Sequence, residues 1–154
     1  MQTFAILWPA IALAALSFVV MVWVAVARTG HMKRNPPRPD DLATGEAAMR
    51  YFQPVEMPAN NLRNLFEAPV LFFALIPLLL ITHQAGHAQV ALAWVYVALR
   101  VVHSIGHIVL HKVSVRAPAF WVSVIVLMAM WIGFAIDIAG AQTAYDAAID
   151  NMTI

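Results

Sequence analysis

Arg100, His103, His107 and His111 recur every three or four residues along RVVHSIGHIVLH, an otherwise apolar stretch. At 100° per residue they fall within an arc of roughly 80°, and Arg100 to His107 spans about 10 Å along a helix axis. Tyr96, one turn earlier, lies on the same side. HxxxH is a ligand spacing for zinc or iron, which makes metal the first chemistry to weigh. A bis-histidine haem, however, takes its two imidazoles from opposite sides of the ring, normally from two helices, and His83 and His87 sit at the far membrane surface. A non-haem metal could recruit Glu67, but Arg63, Arg100 and Arg116 would then crowd a cation with fixed positive charge. The site is therefore read as metal-free and suited to an anion.

A second polar cluster, NNLRNLFEAP, places Asn60, Arg63, Asn64 and Glu67 within an arc of roughly 100°. Arg63 and Glu67 are four apart and can pair, and a purely structural role as a self-satisfied ion pair stays open. The alternative is recognition. Guanidinium forks at Arg28, Arg63, Arg100 and Arg116 suit carboxylates, histidines add donors, and Glu67 can receive an ammonium. An extended molecule with two carboxylates and one amine fits, and a tripeptide of that kind is about 10 Å long, the length of the stripe.

Elements able to carry these groups must be membrane helices. The chain is 62% hydrophobic and 11% charged over 154 residues, a membrane protein's balance. Roughly 20 apolar residues span a bilayer, and Phe4–Ala27, Leu65–Thr82, Ala88–Leu110 and Pro118–Ala139 all qualify. They predict one all-α domain, residues 1–154, with helices over about 4–27, 60–83, 88–111 and 118–140. The first segment has no basic leader and too long an apolar run for a secretory signal, so it reads as a retained helix. The loop over 28–59 holds Pro36, Pro37, Pro39, Pro54 and Pro58, which predicts a partly extended path. Its Arg28, Lys33, Arg34, Arg38 and Arg50, with Lys112 and Arg116 in the third loop, mark the cytoplasmic side. Both termini then lie on the non-cytoplasmic side of what reads as a bacterial inner membrane. There is no cysteine, so any thiol involved must belong to a small molecule.

RVVHSIGH followed nine residues later by Arg116 resembles the R-x-x-H-[ST]-x-x-Y element and thiol-activating arginine of the MAPEG family, the membrane-associated proteins in eicosanoid and glutathione metabolism. RNLFE resembles that family's Arg-Asn-x-x-Glu element, and four helices with a long first loop cover nearly the whole chain. The resemblance, which extends to bacterial members, implies a four-helix homotrimer with glutathione held between subunits as cosubstrate. Arg63, Asn64 and Glu67, with Asn60 beside them and Arg28 nearby, would hold its polar ends from one subunit. Arg100, His103 and His107 would close the site from the next. Arg116 would stabilise the thiolate. The activity implied is that of a transferase or peroxidase acting on lipophilic electrophiles from the bilayer.

Departures from the family pattern remove donors: Asn60 stands for an arginine, His107 for a tyrosine, and Ala117 and Phe120 for a serine and a tyrosine. They keep open a non-enzymatic membrane subunit, assembling with itself or within a larger membrane complex. Nothing in the chain points to nucleic acid.

Overall fold

The computed structural model describes residues 3–152, and five helices account for most of them. Four are long and apolar enough to cross a membrane: α1 (Leu7–Arg34), α3 (Met57–Ile81), α4 (His87–Ile108) and α5 (Val113–Met152). The fifth, α2 (Gly45–Phe52), is short and amphipathic and lies in the first loop. α1 and α3 run beside each other. α4 makes its most extensive contact with α5, while α3 and α5 touch only sparingly.

Periodicity explains the packing. Along α3 the buried positions are Pro58, Asn61, Leu65, Pro69, Phe72, Leu75, Ile76 and Leu79, the three-and-four spacing of a face turned to neighbouring helices. On α4 the buried seam is Ala93, Tyr96, Arg100, His103 and His107, so the polar residues of this span face inward rather than toward lipid. Phe72 stacks on Tyr96 with ring centroids 4.9 Å apart, which sets the register of the two antiparallel helices.

Two helix bounds expected from the sequence are corrected. α1 continues from Ala27 to Arg34, and the rest of the first loop, extended at Arg38 and Thr44, is broken into 3-10 turns at Pro39–Leu42 and Gln53–Val55 that flank α2. Its prolines also open turns and helices, because a helix tolerates proline in its first turn. Thr44 Oγ1 accepts from the Ala47 N–H and starts α2. The last helix does not stop near residue 140; it continues to Met152 on an alanine-rich stretch with no breaking proline.

α2 is held against the end of α1. The His31 and Tyr51 rings meet edge to face at 4.9 Å, and the Tyr51 hydroxyl donates to the Asn35 carbonyl. Arg28 lies 3.5 Å from Glu56 and 4.9 Å above the Phe52 ring.

Both hairpin turns use a histidine where the backbone is left-handed. After α3, His83 has φ 58° while the Gln84 N–H reaches the Leu79 carbonyl at 2.9 Å; after α4, His111 has φ 54° while Lys112 N–H reaches Gly106 at 3.1 Å. The first is the six-to-one bond of a Schellman end and the second spans one residue more; the left-handed residue at such helix ends is usually glycine. Each histidine carries a Cβ penalty of about 1 kcal/mol. His83→Gly is accordingly expected to raise stability by up to about 1 kcal/mol, less the entropy glycine adds to the unfolded chain. A thermal melt in detergent that shifts downward would contradict it.

Candidate functional site

The α4 seam meets α5 where the two helices come closest. A Cβ on Gly106 would lie 3.2 Å from Val115 Cγ1 and 3.3 Å from the Arg116 nitrogen, so only glycine lets the start of α5 approach this near. His103 then reaches across: its Nδ1–H donates to the Arg116 carbonyl at 2.8 Å, leaving Nε2 to accept from the Asn64 amide at 3.4 Å. Both ring nitrogens are engaged within one chain, so His103 braces α3, α4 and α5 around the Arg116 backbone. The His107 ring stands edge to face with it at 5.5 Å, and its Nδ1 has no partner among the described residues.

Asn64, His103, His107, Arg116, Ala117 and Phe120 line a pocket of about 290 Å3. Its ionisable groups are two imidazoles and one guanidinium, with no carboxylate, which matches an anionic guest. Among the described residues no three His, Asp or Glu side chains converge as metal ligands would.

One turn further along both α3 and α5, a groove of about 480 Å3 follows, lined by Ala68, Leu71, Val124, Leu127, Met128 and Trp131 and almost wholly apolar. It exists because α3 and α5 barely touch, leaving a furrow between them.

The other expected site residues divide differently from the single stripe read in the sequence. Arg100 is wholly enclosed and does not line the pocket: its guanidinium carbon sits 5.2 Å from the Tyr96 ring centroid and 4.9 Å from that of Phe120. None of its three nitrogens has a hydrogen-bond partner among the described residues. Asn60 and Arg63 line another groove, with Glu46, Arg50, Gln53 and Glu56. Arg28 is tied to Glu56. The ion pair expected between Arg63 and Glu67 is not formed; both side chains are exposed on the outer face of α3, where each is drawn away from the packed seam.

Sequence reasoning missed Gly106 and Glu56. A lone glycine inside a helical pattern is a signal of close backbone approach, and HSIGH contained it. Glu56 carried no such mark, since its place depends on how the first loop folds back.

No curated protein and no solved structure matches the chain. One family model does, over residues 6–136, from the start of the first span to the apolar end of α5. With the match covering most of its length and reaching all four apolar helices, the chain belongs to the MAPEG family.

Proposed function

We propose that the protein is a glutathione-dependent transferase or peroxidase for lipophilic electrophiles, acting as a homotrimer in a bacterial inner membrane. Its family and four apolar helices make it an integral membrane protein. The observation that carries the reading is the succession of two cavities along α3 and α5: a cationic pocket holding Arg116, and an apolar groove whose lining begins one turn further on. Such neighbours suit a charged thiol meeting an apolar partner.

Bound glutathione would supply the nucleophilic sulfur. Arg116 stabilises its negative charge, and His103 fixes the backbone from which Arg116 projects. A free thiol has a pKa of about 8.5, so only a few per cent is ionised at pH 7. Lowering it by about 1.5 units takes roughly 2 kcal/mol of preferential thiolate stabilisation, within the reach of a partly desolvated guanidinium. The α3–α5 groove orients the apolar electrophile toward the sulfur and keeps bulk water from its reacting end.

Stopped-flow ultraviolet detection of thiolate on adding glutathione tests the proposal. Wild type is expected to give a thiolate signal and Arg116→Ala to lose at least tenfold of it. A wild-type protein that generates no thiolate defeats the reading.

The homotrimer is supported by Glu67. It is exposed within the second apolar span, and charged side chains there almost always face protein rather than lipid. A second copy covering that face supplies the protein. The same arrangement serves a non-enzymatic subunit of a larger membrane complex, a reading favoured by the sealed Arg100 and by the absence of hydroxyls at Ala117 and Phe120. Stoichiometric retention in such a complex, with no thiolate signal, is the result that selects it.

The basic first loop supports a cytoplasmic location for α2, with both termini outside. Because the chain has no cysteine, single substitutions report cleanly. In intact cells a membrane-impermeant maleimide is expected to label Thr143→Cys, and to label Ala43→Cys only after permeabilisation. The reverse pattern inverts the topology.

A further inference from the structure

α5 outruns the rest of the bundle. At 1.5 Å per residue its 40 residues extend about 60 Å, twice the hydrocarbon core of a bilayer. The family match stops at residue 136, and from Asp137 to Met152 every side chain except Ile138 is exposed. A helix of about four turns with so little buried is marginal in water, because helices in proteins are held mainly by packing one face.

The extension has such a face. Ile138, Tyr145 and Met152 recur every seven residues, with Ala141 and Ala148 between them, and all five fall within an arc of about 80°. Tyr145 is 67% and Met152 77% exposed. Strict alternation of three and four gives the narrow seam of a coiled coil, unlike the broad apolar face of a helix packed in a globular core. We propose that this seam pairs with the same seam of a second copy, as a short parallel coiled coil outside the membrane. The pairing goes beyond the transferase reading, since it needs neither glutathione nor the Arg116 pocket.

Three observations select a second copy as the occupant. First, the charges are complementary. With Ile138 at position a of the heptad, the one charge among the flanking e and g positions is Asp137 at g, and Gln142 is at e. Across a parallel pair a g residue faces the e residue five further on, so Asp137 meets the partner's Gln142, a carboxylate opposite an amide donor. Asp146 and Asp150, at b and f, lie on the outer side and oppose no like charge across the seam.

Second, the membrane sets the geometry. Copies inserted in one bilayer share orientation and depth, so their seams run parallel and start at the same height.

Third, lipid is a poor occupant. Helices that lie in a membrane surface carry Lys and Arg on their polar face, whereas no Lys or Arg follows Arg116 and three aspartates do. Lying down would also require a break at the end of the span, and α5 runs unbroken to Met152.

Oxidative cross-linking in lipid vesicles tests this with single cysteines, in a chain that has none of its own. A disulfide needs Cα atoms within about 7 Å, so it reports which helix face meets the partner. Ala148→Cys is expected to give at least tenfold more disulfide-linked dimer than Ala147→Cys, its neighbour turned 100° away. Ala141→Cys should behave like Ala148→Cys. Adding Tyr145→Asp to Ala148→Cys should lower the yield at least tenfold, while Tyr145→Phe should preserve it. Equal yields at 147 and 148, no dimer at 148, or a yield indifferent to Tyr145→Asp overturns the proposal. So does a nitroxide on Ala148→Cys that is relaxed more by oxygen than by a water-soluble nickel chelate, which would place the seam against lipid. The yields are read without glutathione, so their failure and the absence of a thiolate signal are separate results.

Discussion

Arg100→Met is expected to stabilise the protein by on the order of 2 kcal/mol while weakening thiolate formation at the neighbouring pocket. The sign follows from opposing magnitudes. Removing an ion from water costs several kcal/mol even after relaxation, and donors buried without acceptors add about 1–3 kcal/mol. Against this stand two ring contacts, to Tyr96 and Phe120, worth up to about 2 kcal/mol each when desolvated. The balance remains unfavourable to the native arginine, and methionine fills the slot between the rings without a charge. The positive field it adds beside His103 is lost with it, so the thiolate signal should fall even though Arg100 does not line the pocket. Thermal unfolding in nanodiscs reads the first effect and ultraviolet absorbance the second. A variant less stable than wild type would show that the two ring contacts outweigh the cost of the buried charge.

Gly106→Leu is expected to cost about 3 kcal/mol, at the upper end of overpacking penalties, and to displace Arg116. The first carbon added already meets Val115 and the Arg116 backbone at 3.2–3.3 Å, and the branch beyond it has no free volume in that direction. Gly106→Ala asks the same atoms to yield by only a few tenths of an ångström. It should therefore fold, with a loss of about 1 kcal/mol, yet give less thiolate, because the His103 bond to the Arg116 carbonyl stretches as the helices part. Equal thiolate signals from Gly106→Ala and wild type would show that Arg116 does not depend on this close crossing.

The four spans and the inward direction of Arg100, His103 and His107 were legible because hydropathy and a 3.6-residue period act locally. The division of the α3 stripe was not. Asn60 and Asn64 are 40° apart on a helical projection, and nothing in that projection tells that one faces a folded loop and the other faces α5. Arg63 and Glu67 had the right spacing to pair, but spacing ignores what lies outside the helix. Of the two ion pairs among the described residues, Arg50 with Glu46 has that same local spacing, whereas Arg28 with Glu56 joins residues 28 apart and needed the first loop to fold back. The extent of α5 was misjudged for another reason. Hydropathy reports where a bilayer ends, whereas a helix ends where its backbone meets a breaker, and none occurs through Met152.

The furrow between α3 and α5 is walled by two helices long and apolar enough to span a membrane, and that changes which concentration governs its occupancy. An apolar molecule lodged against Leu71, Met128 and Trp131 exchanges with the bilayer and not with water. Its saturation then follows mole fraction in the lipid phase. At a fixed total amount, each doubling of lipid or detergent halves that fraction and doubles the apparent half-saturation point. Two preparations of the same protein will therefore disagree in molar units and agree once the amphiphile is expressed per lipid.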